Sequence, residues 1–170
     1  MCSKILCRAW ASDLAEGGTL AEGSVTHGTF VIERNFPASP ERVFAAFSDP
    51  ATKHRWFVDD EASGSEDFGM DFRVGGVEQK RFTNKYGVFT NNTVYLDIVP
   101  NRRIVFAYTM SMNDKRFSSS QVTVELLAAG KGTDLVFIEQ GAFFEGADGP
   151  QMREGGWRAL FESLAKELAG

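Results

Sequence analysis

Near the C-terminus the large apolar residues fall at Trp157, Leu160, Phe161, Leu164 and Leu168, with polar and small residues between them. A spacing of i, i+3, i+4, i+7 and i+11 draws one apolar stripe along a helix. From about residue 67 to residue 141 the pattern shortens to period two. It is cleanest in Val122, Val124 and Leu126 against Thr123 and Glu125, and in Val94, Leu96 and Ile98 against Asp97. Such alternation describes strands with one buried and one wet face. Strands are predicted at 68–74, 77–83, 88–99, 104–110, 119–127 and 134–140. The turns between them have suitable chemistry at Gly75-Gly76, Pro100-Asn101 and Gly130-Lys131-Gly132.

A β-rich segment at 29–36 comes first. Ser39 then reads as the N-cap of a short helix with Pro40 at its first position and Val43, Phe44 and Phe47 on its buried face. Ser48-Asp49-Pro50 stops that helix and starts another, capped by Asp49 and running to about Trp56. A long helix with a single apolar stripe needs a concave partner, and a curved antiparallel sheet gripping it supplies one, with a ligand cavity between the two. Residues 1–28 read as an N-terminal tail punctuated by Gly17-Gly18, Gly23, Ser24 and Gly28. Leu6, Trp10 and Leu14 would share one face of a short helix there. The domain proper is expected over 29–170.

At 170 residues and 18.8 kDa the chain fits one domain, which buries roughly 70% of its unfolded surface without staples. Its 15 Phe against 3 Tyr and 3 Trp suit a thick core or an apolar pocket wall. The net charge of −5 argues against non-specific nucleic-acid or anionic-membrane binding. The basic pairs Lys80-Arg81 and Arg102-Arg103 read as solvated strand ends. Both cysteines, Cys2 and Cys7, sit in the tail, which suits a reducing compartment. No apolar run approaches the roughly 18 residues of a membrane span, and Lys4 and Arg8 break up any secretory core, so a cytoplasmic chain is expected.

The two histidines, His27 and His54, are too few for a three-histidine zinc site, and no Gly-x-Ser-x-Gly occurs. Gly75-Gly76 and Gly155-Gly156 lack the Lys-Ser/Thr of a phosphate loop. Neither cofactor nor metal is expected. Asp59-Asp60-Glu61 with Glu66-Asp67 read as a solvated acidic loop. Polar residues on strands whose one parity faces the helix are the sharper candidates: Arg73, Gln79, Arg81, Tyr95 and Tyr108. Arg73 is the foremost for contact with an anion or carbonyl, against a structural salt bridge to a strand neighbour.

Phe36-Pro37-Ala38-Ser39-Pro40-Glu41-Arg42-Val43-Phe44, Phe47-Ser48-Asp49-Pro50 and Arg55-Trp56 resemble the opening of the START-like SRPBCC superfamily, in its branch of homologues of the heat-shock protein 90 ATPase activator. Phe72-Arg73-Val74-Gly75-Gly76, Val94 to Pro100 followed by Arg103-Ile104-Val105-Phe106, and Gly156-Trp157 extend the resemblance over about residues 29 to 168. It implies an α+β helix-grip fold, about seven antiparallel strands curved around a long C-terminal helix, with two short helices after the first strand. In that fold Trp56, Phe57, Phe68, Phe72, Phe82, Phe106, Tyr108, Trp157 and Phe161 border the cavity. The expected function is binding of a hydrophobic or amphipathic small molecule. One rival is a cofactor-independent cyclase, hydratase or hydrolase that uses Arg73, a Tyr and a carboxylate. Another is a chaperone or stress-response partner with an exposed apolar patch. Residues 1–28 do not resemble the separate domain that eukaryotic activators use for their main chaperone contact, so that expectation is the weaker. A homodimer through a sheet edge or the tail is compatible with the sequence.

Overall fold

The computed structural model describes residues 23–58, 64–84 and 86–170. Strand β1 (Val25–Phe36) is followed by helices α1 (Pro40–Ser48) and α2 (Pro50–Lys53), and α2 runs into a π-helical turn at His54–Val58. Then come β2 (Gly64–Met70), β3 (Val77–Asn84), β4 (Gly87–Val99), β5 (Arg103–Met112), β6 (Lys115–Ala129) and β7 (Gly132–Phe144), and helix α3 (Pro150–Ala169) ends the chain. The seven strands form one antiparallel sheet in the order β1-β7-β6-β5-β4-β3-β2. The helix-grip expectation holds. The tail helix, Cys2, Cys7 and the acidic run Asp59-Asp60-Glu61 lie outside the described residues.

Local chemistry sets the helices as the sequence implies. Ser39 Oγ accepts from the Arg42 N–H at 3.4 Å, and Asp49 Oδ2 accepts from the Thr52 N–H at 2.7 Å and its hydroxyl at 2.6 Å. The π-helical turn lets consecutive residues Trp56, Phe57 and Val58 all point inward, and the Trp56 indole N–H donates to the Ala46 carbonyl at 2.7 Å. In α3, Trp157, Phe161, Leu164 and Leu168 are buried, with Leu160 packed beside them. The helix begins at Pro150, ahead of the apolar stripe, with proline in its first turn.

Three expectations are corrected. First, β1 starts at Val25 and passes through Gly28, which is a close-approach glycine: a Cβ there would lie 2.6 Å from Pro150 at the start of α3. Second, β2 ends at Met70, so Phe72, Arg73 and Val74 belong to the turn that follows. Gly75 there has φ of 78°, and a Cβ on Gly76 would meet the Asp71 carbonyl at 2.1 Å. Third, Tyr95 of β4 is buried, while Leu96 is exposed. The inward parity belongs to Phe89, Asn91, Thr93 and Tyr95, and a register shift against β5 between Tyr95 and Asp97 then reverses it, so that Ile98 packs on the core; on the other edge Tyr95 exchanges backbone hydrogen bonds with Gly75 and Gly76 at 2.8 and 3.0 Å. Val122, Val124 and Leu126 face inward as expected.

Candidate functional site

The inner face of the sheet divides along its strands. Ile32, Phe36, Ile104, Val124 and Leu135 meet Val43, Phe47, Phe161 and Leu164 in a dry apolar half. Towards the other end the register brings polar side chains into the interior. Thr93, Tyr108 and Ser120 line up across β4, β5 and β6, and Asn91, Met110 and Ser118 form the next row.

Two ion sets anchor this polar half. In the first, Arg153 from the opening of α3 reaches the sheet. Its Nη1 donates to the Tyr108 hydroxyl at 2.6 Å and to Glu139 Oε1 at 3.3 Å, and its Nη2 donates to Ser118 Oγ at 2.7 Å and to Asp148. Tyr108 donates to the Glu139 carboxylate at 2.8 Å and accepts from the Trp157 indole at 3.3 Å. Burial pushes the Glu139 carboxyl up, against the opposing pull of Arg153. Burial also raises Tyr108. For Arg153 burial works against the charge, but Tyr108, Asp148 and Glu139 outweigh it and hold its pKa above the ordinary value. The Tyr108 hydroxyl thus spends its one donor and both lone pairs on protein groups, so it is a structural hub with no proton to offer a substrate.

The second set joins Lys53 of α2 to β3 and β4. Lys53 Nζ donates to Glu78 Oε2 at 2.5 Å and to the Tyr95 hydroxyl at 3.2 Å, and Tyr95 donates to the same carboxylate oxygen at 2.5 Å. Burial, then Glu78, raise the Tyr95 phenol. Lys53 Nζ and Lys80 Nζ each sit 5.1 Å from the centre of the Phe57 ring, and Lys80 donates to the Phe57 carbonyl at 2.8 Å. Among the described residues no three His, Cys, Asp or Glu side chains converge as a metal site requires.

An aromatic web lies between the sets. Trp157 is at its centre, with ring centroids at 4.4 Å from Phe137, 5.8 Å from Phe161, 6.1 Å from Phe57 and 6.4 Å from both Phe106 and Tyr108. Trp56 touches Phe57, and Phe72 packs edge-on against Tyr95 at 4.8 Å. Phe68 and Phe82 are partly buried against the core, and Phe82 stacks on Phe89 at 5.1 Å. The structure therefore brings together Trp56, Phe57, Phe106, Tyr108, Trp157 and Phe161, with Tyr95 and Phe72 adjoining.

Arg73 is not brought in. It stands on the turn, its side chain 70% exposed, and pairs with Asp71 at 2.8 Å. Gln79 and Arg81 are also exposed, because the inward parity of β3 belongs to Glu78, Lys80 and Phe82. Sequence reasoning missed Lys53, Glu78, Glu139 and Arg153. A signal existed for two of them: Glu139 shares parity with Leu135 and Phe137, and Arg153 stands one turn before Trp157 on the same stripe. An open groove of about 740 Å³ lies elsewhere, on the outer face, where Thr29, Ser119, Gln121 and Gln140 present neutral polar groups.

The family model described as Activator of Hsp90 ATPase homolog 1-like protein matches residues 37–169. The chain belongs to this family. Solved structures similar to this Activator of Hsp90 ATPase homolog 1-like domain include the Mll3558 protein from Rhizobium loti, at 50% identity over 85% of this chain and 99% of that one, with a TM-score of 0.79. A protein from Rhizobium leguminosarum is 37% identical over 88% of this chain and 99% of its own, with a TM-score of 0.83. Protein CV1439 from Chromobacterium violaceum is 27% identical over 84% and 97%, with a TM-score of 0.69. No curated protein matches the chain. The fold family to which Activator of Hsp90 ATPase homolog 1-like domains belong commonly binds hydrophobic ligands. No helix among the described residues is long and apolar enough to cross a membrane.

Proposed function

We propose that the domain binds a hydrophobic or amphipathic small molecule between the sheet and α3, on walls formed by Phe57, Phe106, Trp157 and their neighbours. The observation that carries this reading is where solvent reaches the interior. Phe57, Phe106, Met110 and Trp157 keep 6–8% exposure, while Phe137, Phe161 and Val122 keep none. Residual exposure on neighbouring rings of one stretch of the inner face supports a cleft wall that a ligand can reach. Flat, rigid rings supply such a wall at small entropic cost. Catalysis by a tyrosine is disfavoured, since the Tyr108 hydroxyl is saturated.

Native mass spectrometry of the purified protein, followed by a thermal-shift screen of neutral and anionic apolar compounds, tests the reading. A bound small molecule or a concentration-dependent rise in Tm supports it. An empty protein that no compound stabilises overturns it. A second reading, contact with a partner protein, draws on Val74, Val77 and Leu96, which stand exposed around the Gly75-Gly76 turn. Binding of a partner that survives charge reversal in the cleft but fails in Val77→Glu would favour that one.

A further inference from the structure

Most polar groups on the inner face are already committed. Lys53 is held by Glu78 and Tyr95, Arg153 by Glu139, Asp148, Ser118 and Tyr108, and the Thr133 hydroxyl by the Ala38 carbonyl at 2.7 Å. Asn91 on β4 differs. Its Oδ1 accepts from the Thr93 hydroxyl at 3.0 Å, but its Nδ2 has only the Met110 thioether, at 3.5 Å. Sulfur is a weak acceptor, so a carboxamide that is more than nine-tenths buried has donor capacity left over. Turning the amide over would aim its oxygen at a sulfur that has no hydrogen to donate, while the Thr93 hydroxyl can pair with either end, so Met110 selects the N–H end. The Ser120 hydroxyl is buried as well, but it lies beside the Glu139 carboxylate, with Gly141 and Phe143 close by.

The position of Asn91 matches its spare donor. It pairs in register with Lys80 on one side and Met110 on the other. Asn91, Thr93 and Met110 all keep 6–8% exposure, as Phe57, Phe106 and Trp157 do. Lys80, beside Asn91, reaches over the Phe57 ring, and Thr93 lies opposite Tyr108, which packs against Trp157, so the amide sits on the same stretch of the inner face as the rings. A ligand carboxylate entering there would be stripped of water while the buried cations Lys53 and Arg153 are already paired, and an ammonium would face the same cost. A neutral acceptor breaks nothing and improves on sulfur.

Resting on the small-molecule reading above, we propose that Asn91, held by its hydrogen bond from Thr93, is the polar contact for the ligand. The ligand is then a neutral molecule with a flat apolar body and a carbonyl-type oxygen, which takes over the Asn91 N–H from Met110. The test uses the aryl ketone 6-propionyl-2-(dimethylamino)naphthalene as probe and the 6-propyl compound, which lacks the oxygen, as its control. Each is titrated by fluorescence against the wild type, Asn91→Leu and Asn91→Ala, with circular dichroism melts to establish folding. The wild type is expected to bind the ketone roughly five- to tenfold more tightly than the control. Both variants should lose that preference while keeping their affinity for the control. Should Asn91→Leu not fold, the smaller Asn91→Ala carries the comparison. A preference that persists in a folded variant overturns the role of Asn91 and leaves small-molecule binding standing. A wild type that binds neither compound overturns both.

Discussion

Replacing Arg153 with Met removes a charge while keeping an unbranched, flexible side chain of similar reach. The structure then holds the Glu139 and Asp148 carboxylates inside the protein with no cation between them, together with a Tyr108 hydroxyl that has lost its 2.6 Å donor. Breaking a buried pair by removing one partner costs about 3–5 kcal/mol. Burial already pushes the Glu139 carboxyl up, so it can take a proton and shed part of the strain, which places the loss near the lower end, about 3 kcal/mol at pH 7. That is a large share of a domain stability of about 5–15 kcal/mol. Urea unfolding followed by tryptophan fluorescence and far-UV circular dichroism measures it, with an unchanged m-value establishing that the transition stays two-state. The second arm is Arg153→Met with Glu139→Gln. Removing the stranded charge should restore part of the loss, giving a coupling of about 0.5–3 kcal/mol. A single variant that loses less than about 1 kcal/mol, or a double that falls by the sum of the singles, would refute the view that this set is an ion pair sealed in the interior.

Other outcomes follow from the same structure. Glu139 has a folded pKa above its ordinary 4.5, so between those two values the folded state binds more protons than the unfolded one, and stability contributed at this site falls as pH rises through that window. Glu139→Gln should remove that slope, seen as a stability difference between wild type and variant that changes with pH only there. Gly155 lies in the interior of α3, and a methyl group added to it would meet nothing within 4 Å, so Gly155→Ala should stabilise by up to about 1 kcal/mol and raise Tm. Asp49→Ala strips the α2 cap of both its Thr52 hydrogen bonds and should cost about 1 kcal/mol in urea melts.

The fold was legible because its signals are periodic and local. The stripe from Trp157 to Leu168, the caps at Ser39 and Asp49, and the alternation in β6 each depend on a few neighbouring residues. The corrections fall where a distant backbone intervenes. Gly28 reads as punctuation until Pro150 is seen to press on it, and Leu96 reads as buried until the pairing of β4 puts Tyr95 on the inward parity and a register shift against β5 follows it. The rings of the candidate site were found because large aromatics are rarely placed on these elements without being buried. The ion sets were not, since a charged residue in a sequence is ordinarily a solvated one. Lys53, Glu78, Glu139 and Arg153 become interior groups largely through partners on other elements, up to 45 residues away. Asn91 gave no signal at all, because its meaning lies in a weak bond to Met110 that only the register of β4 on β5 creates.

The position of β1 beside β7 has a consequence for how the chain comes to be folded at all. Val25 faces Phe144 and Phe36 faces Thr133, so the opening strand has no neighbour in the sheet until the closing strand exists. During synthesis β1 must wait, with Phe30, Ile32 and Phe36 uncovered, until β7 has left the ribosome. The hairpins from β2 to β6 can form earlier from nearby sequence. Long-range closure of this kind slows folding and prolongs the exposure of sticky surface. A chain cut before β7 would therefore leave the first strand unpaired as well as losing the last helix.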